Sequence, residues 1–138
     1  MVRGALILLL TACCFAQDKV VKTPYTFNVG PLEVKCQNME VTRDKRYALV
    51  HAFVRSTSGK KERCSWQGWF TVVTAKGEEL RCSPDCGVDS GTGQHITMGE
   101  FEVDRKPSRL LIYFNLAPDE TPVRLKFEDG AVTAPTSR

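Results

Sequence analysis

Residues 82–95 read CSPDCGVDSGTGQH, the stretch of the chain densest in side chains able to do chemistry. Cys82 and Cys86 are separated by three residues, and His95 closes the stretch. Thiolate and imidazole are ligands for zinc, and a C-x₃-C spacing falls within the range that zinc sites use. A structural zinc site needs a second, matching pair of ligands, and none follows. His51 is the other histidine, but it lies in the apolar run YALVHAFV, where a satisfied core histidine is the ordinary outcome. A redox pair fits less well. Thioredoxin-type motifs have two residues between the cysteines and a helix N-terminus that lowers a thiol pKa. No helical pattern follows Cys86. No metal and no cofactor are expected.

Asp89-Ser90-Gly91 resembles the Asp-Ser/Thr-Gly of aspartic peptidases. Those enzymes need two such aspartates, because carboxylates about 3 Å apart cannot both ionise and so share a proton. This chain has one copy and lacks the hydrophobic-hydrophobic-Gly segment that supports such a loop. Asp89, Ser90 and Gly91 are therefore expected to make a turn. No Ser-His-Asp order and no paired carboxylates stand out elsewhere. Catalytic residues are not expected.

The N-terminus says where this chemistry would happen. Arg3 supplies one positive charge, and Ala5 to Leu10 form an apolar run. That run is far short of the roughly 20 residues a membrane span needs, but suits the h-region of an export signal. Ordinary cleavage would follow Ala16. Alternatively, Leu10-Thr11-Ala12-Cys13 looks like the lipobox of bacterial lipoproteins, in which Cys13 is lipidated and becomes the mature N-terminus. Burial of about 0.8 kcal/mol per methylene would then hold the protein to a membrane through that lipid only. Either route places the chain outside the cytoplasm. The net charge of +3 falls to +2 once Arg3 is removed, too little to argue for nucleic acid. The basic clusters RDKR (43–46) and GKKER (59–63) flank one strand and are expected at its opposite ends, as separate solvated turns.

An oxidising compartment changes the reading of the cysteines. Cys36, Cys64, Cys82 and Cys86 are four in number, and an even count in a small exported domain argues for disulfides. Strand direction predicts that Cys64, Cys82 and Cys86 gather at one end of the fold. Cys64 is expected to pair with Cys82 or Cys86, and Cys36 with the other.

The elements that must hold these residues are strands. LEVKC alternates, QN breaks step, and Met39 and Val41 resume the apolar face, which predicts a bulge at Gln37–Asn38. YALVHAFV, WQGWFTVVT, HITMGEFEV, RLLIYFNL and VRLKFE follow, with turn residues between them. No window keeps a helical period. The pattern predicts an all-β sandwich of seven to eight antiparallel strands. Its regions are a signal over 1–16 (or one ending before Cys13), an extended segment over 17–31, the sandwich over 32–128 and a flexible tail over 129–138. The expected core is Val50, Phe53, Trp69, Phe70, Val72, Leu111, Tyr113, Leu125 and Phe127. Trp66 and Tyr25 are the aromatics considered for a binding face, although aromatics in strands are usually core.

YALVHAFVRSTSGKKERCSWQGWFTVVTAKGEEL followed by GQHITMGEFEVDRKPSRLLIYFN resembles the telokin-like, immunoglobulin-related extracellular domain of bacterial lipoproteins and secreted immunoprotective antigens. The likeness spans about residues 32–127. It rests on turns at Ser56–Gly59 and Lys76–Glu78 and on the strands Gly99–Val103 and Leu110–Phe114. Gly93-Gln94 replaces the family's Pro-Gly-Glu, and the four cysteines are an addition. The resemblance implies an immunoglobulin-like β-sandwich outside the cytoplasm and no catalytic residues. The expected function is an exported, lipid-anchored binding or interaction protein of the cell envelope, with an unknown protein or envelope ligand as partner. The alternative is a small envelope enzyme or metal-handling protein built on the Cys82–His95 loop.

Overall fold

In the computed structural model, residues 19–81, 88–90, 95–96 and 101–135 are described. All their regular structure is strand. The order is β1 (Lys19–Val21), β2 (Tyr25–Val29), β3 (Leu32–Val41), β4 (Tyr47–Ser56), β5 (Glu62–Cys64), β6 (Phe70–Thr74) and β7 (Glu79–Arg81). It continues with β8 (Val88–Ser90), β9 (His95–Ile96), β10 (Phe101–Val103), β11 (Ser108–Asn115), β12 (Pro122–Phe127) and β13 (Ala131–Thr133). One sheet runs β1-β13-β12-β6-β7, the other β2-β3-β4-β11-β8-β9, and β10-β5 is a separate ribbon. The chain is an all-β sandwich, as the alternation of its strands predicts.

The core lies between the two large sheets. Phe27 of β2 meets Phe70 of β6 and Phe127 of β12 with ring centroids 6.0 and 5.5 Å away. Such edge-on and tilted aromatic pairs contribute about 0.5–1.5 kcal/mol beyond the area they bury. Leu32, Val34 and Cys36 point inward from β3. The register then shifts between Cys36 and Asn38, which returns Met39 to the core side. This is the bulge that the broken alternation predicts.

The structure departs from the sequence reading at several places. Thirteen strands are present among the described residues, more than seven to eight, because short strands such as β1, β7 and β13 complete the sheets. One pairing, β1 with β13, is parallel. Residues 131–133 are no frayed tail: they form β13, and Ala131 and Val132 are buried. Phe53, Leu111 and Tyr113 are half-buried on the outward face, while the inward residues are Val50, Ala52 and Val54 of β4 and Leu110, Ile112 and Phe114 of β11. Trp66 is core, only 1% exposed. Cys36 carries a free thiol in the core, and the partners expected for it, Cys82 and Cys86, lie outside the described residues. Its inward position on β3, opposite Ala52 on β4 and Tyr25 on β2, surrounds it with packed side chains. Cys64 is also buried. Cys13, Cys82 and Cys86 lie outside the described residues.

Candidate functional site

Successive residues of a strand face opposite sides, so the residues opposite the core make a second face of the six-stranded sheet. Along β4 the burial alternates without a break: Ala48, Val50, Ala52, Val54 and Ser56 are buried, and Tyr47, Leu49, His51, Phe53 and Arg55 are half-buried. On β11, Leu111 and Tyr113 share that outer face. The register fixes the neighbours. Phe53 stands opposite Lys35 on β3 and Arg109 on β11, Leu49 opposite Glu40 and Tyr113, and Arg55 opposite Glu33. An apolar and aromatic stripe thus runs down the middle of the face with charged side chains flanking it.

An ion pair and a histidine–carboxylate contact hold its β3 side. Arg55 donates from Nε to Oε1 of Glu33 at 2.7 Å. That guanidinium holds the Glu33 carboxyl below the usual carboxylate range, against a smaller opposing effect of burial. His51 Nε2 lies 2.6 Å from Oε2 of Glu40, diagonally across the β3–β4 pair. At the far end the β3–β4 turn is built on Thr42, whose hydroxyl donates to Oδ1 of Asp44 at 2.7 Å. The same Asp44 oxygen accepts from the Arg46 backbone at 3.1 Å. These two bonds, the Thr42 hydroxyl first, keep the Asp44 carboxyl below its ordinary value. They also set Tyr47, whose ring meets Tyr113 edge-on at 5.6 Å.

Two clefts open on this face. One, of about 460 Å³, has Phe53 in its lining together with Glu33, Lys35, Arg55 and Pro107. The other, of about 430 Å³, lies against Tyr47, Tyr113 and the Thr42–Asp44 turn. Both volumes fall within the range of about 300–1,000 Å³ typical of ligand pockets.

The residues singled out in the sequence are distributed as follows. The backbone register sets Asn38, His51, Leu111, Asp89 and His95 in one row across five strands. The two histidines are three strand spacings apart, about 14 Å, too far to share one ion. Among the described residues no cluster of three or more His, Cys, Asp or Glu side chains could hold a metal. Asp89 and Ser90 belong to β8, not to a turn, and Gly91 lies outside the described residues. Tyr25 is half-buried and turned onto Asp129 rather than offered to a ligand. The clusters Arg43–Arg46 and Gly59–Arg63 sit at opposite ends of β4, the first as a turn and the second as a turn that runs into β5 at Glu62 and Arg63. The outer stripe itself was hidden in the sequence by its hydrophobicity. A strand apolar in both phases reads as doubly covered, and the available signal was the ring of charges opposite it on β3.

The chain is similar to the crystal structure of an uncharacterized β-sandwich protein from Clostridium difficile 630. The TM-score is 0.58 at 13% identity, over 89% of this chain and 96% of that one. No family model matches the chain, and no curated protein does. At this identity the likeness shows a shared fold, a β-sandwich.

Proposed function

We propose that this chain is an exported, lipid-anchored β-sandwich that binds a ligand at the bacterial cell envelope and carries out no catalytic step. The observation that carries the binding half is the outer face of the six-stranded sheet. Tyr47, Leu49, Phe53, Leu111 and Tyr113 stand there half-buried, beside two clefts and outside the core. Contiguous apolar surface rimmed by charge is the usual mark of a binding site. The location half rests on Leu10-Thr11-Ala12-Cys13 behind a short apolar run. A bridge from Cys64 to Cys82 or Cys86 belongs to the same reading. Arg81 pairs with Thr71 at the start of β6, so β7 ends on the side of the fold to which Cys64 leads.

The anchor is tested by expressing wild type and Cys13→Ala in a bacterial host and separating cell extracts between detergent and aqueous phases. Wild type should enter the detergent phase. Cys13→Ala should appear in the aqueous phase or remain unprocessed. Wild type found wholly in the aqueous phase would end the lipoprotein reading.

A further inference from the structure

We infer that the Phe53 cleft is a subsite for one acidic sugar residue of an envelope or extracellular polysaccharide, with Phe53 as its platform. Phe53 is flanked directly across the sheet by two cations, Lys35 on β3 and Arg109 on β11. Arg55 adds a third cation on the same face. Among the described side chains flanking Phe53, one carboxylate, Glu33, answers these three charges, and it is committed to Nε of Arg55. That bond spends one edge of the guanidinium and fixes its plane, so the terminal nitrogens are held ready for an incoming anion. The cleft of about 460 Å³ is large enough for a single sugar ring.

The backbone narrows the choice of ligand. β4 is paired on one side with β3 and on the other with β11 along the cleft. Its ladder is full, so an extended peptide cannot add here as another strand. A ligand must be held by side chains alone. The negative face of an aromatic ring attracts the positive edges of C–H bonds, which line the flat side of a pyranose. A carboxylate on that ring would reach the cations beside Phe53. Single-stranded nucleic acid also uses rings and cations, but as several platforms in series along a basic track. The other outward aromatics, Tyr113 opposite Leu49 and Tyr47 at the start of β4, stand about 13 and 20 Å along the strand from Phe53. Asp44 lines the cleft beside them. One platform with three cations suits one charged sugar unit.

This inference rests on the proposal that the outer face binds a ligand, but not on the anchor, so failure of the Cys13→Ala test leaves it standing. The measurement is isothermal titration of the full-length protein with tetragalacturonate, a neutral galactose tetramer and an oligothymidylate. Tetragalacturonate should bind in a salt-sensitive way, and the other two about tenfold more weakly or not at all. Lys35→Glu and Arg109→Glu change exposed side chains and should each weaken binding about tenfold. Phe53→Leu keeps the apolar contact, removes the ring and should do the same. Lys45→Glu, at the other end of β4, should change nothing. No binding of tetragalacturonate, equal binding of the neutral tetramer, or affinity indifferent to Lys35→Glu and Arg109→Glu would each overturn the inference. Tighter binding of oligothymidylate, lost in Phe53→Leu, would overturn it in favour of a nucleic-acid site.

Discussion

The hydroxyl of Tyr25 donates to Oδ2 of Asp129 at 2.5 Å, joining residues 104 apart in the chain. Tyr25 belongs to the edge strand of one sheet, and Asp129 to the turn between β12 and β13 of the other. The ring also packs on Phe127 at 5.1 Å and on Phe27 at 6.1 Å. Asp129 accepts with its second oxygen from the backbone of Ala131 at 3.0 Å, which sets the entry to β13. One carboxylate therefore links both sheets and starts the strand against which β1 pairs.

This contact makes a pH prediction. The hydrogen bond to Asp129, with burial and the carboxylate charge adding to it, pushes the Tyr25 phenol up from 10.0 to about 12. The folded state favours the neutral phenol. The stabilisation is therefore complete below pH 10 and is lost as the pH rises through about 12. Absorbance titration near 295 nm should show one of the three tyrosines ionising late. In Asp129→Asn that late step should move back toward 10, and an unchanged profile would contradict the assignment. The site is near the surface, so solvent screening keeps the stability loss small, about 1 kcal/mol or less.

Cys36 titrates in the same direction for a different reason. Burial alone pushes its thiol up from 9.0 to about 12. The neutral thiol is the folded form, so its contribution is full below pH 9 and fades as the pH rises through about 12. Folded protein at pH 8 should leave Cys36 unmodified by iodoacetamide, whereas denatured protein should be alkylated there. Peptide mapping without reductant decides the matter: Cys36 recovered in a disulfide would refute it.

Glu33 gives the acid side. Its pairing with Arg55 lowers its carboxyl from the ordinary 4.5. The stabilisation is present above that value and disappears as the pH falls through the lower folded value. Both side chains are about a third or more exposed, at 34% and 40%, so the pair contributes about 1 kcal/mol at most. Glu33→Gln should lower the urea midpoint slightly at pH 7 and leave it equal to wild type in strong acid. A difference that persists unchanged at low pH would point to packing instead of charge.

How much of this was legible in the sequence varies with how local the cause is. The bulge after Cys36 was, because inward and outward residues swap phase within the strand itself. So was the separation of the two basic turns, which follows from the length of β4. The strand at Ala131–Thr133 was not. Its residues are small or polar, and what orders them is pairing with β12 on one side and with β1, more than a hundred residues away in the chain, on the other. Trp66 was undecided for a similar reason: it lies between β5 and β6, where no alternation speaks to burial. The outer face was misread because Phe53, Leu111 and Tyr113 are as apolar as the core beneath them. Hydrophobicity marks a strand as central but does not say which of its two faces is covered.

That ambiguity can be resolved by two neighbouring residues of β11. Ile112 is fully buried and stands opposite Val50 in the core. Leu111, beside it, points to the outer face and is half-buried opposite His51. Ile112→Ala removes methyl groups from a packed interior and leaves a cavity, a change that costs about 2–5 kcal/mol. Leu111→Ala removes a larger share of solvent-facing surface and leaves no closed void, so its cost should be about 1 kcal/mol. Urea unfolding of both variants measures the difference directly, with the slope checked for constancy so that only stability is compared. A markedly lower midpoint for Ile112→Ala, with Leu111→Ala close to wild type, places the core on the Ile112 side. Equal losses would mean that Leu111 is covered as well and that the outer face is no open surface, which would remove the basis for ligand binding there.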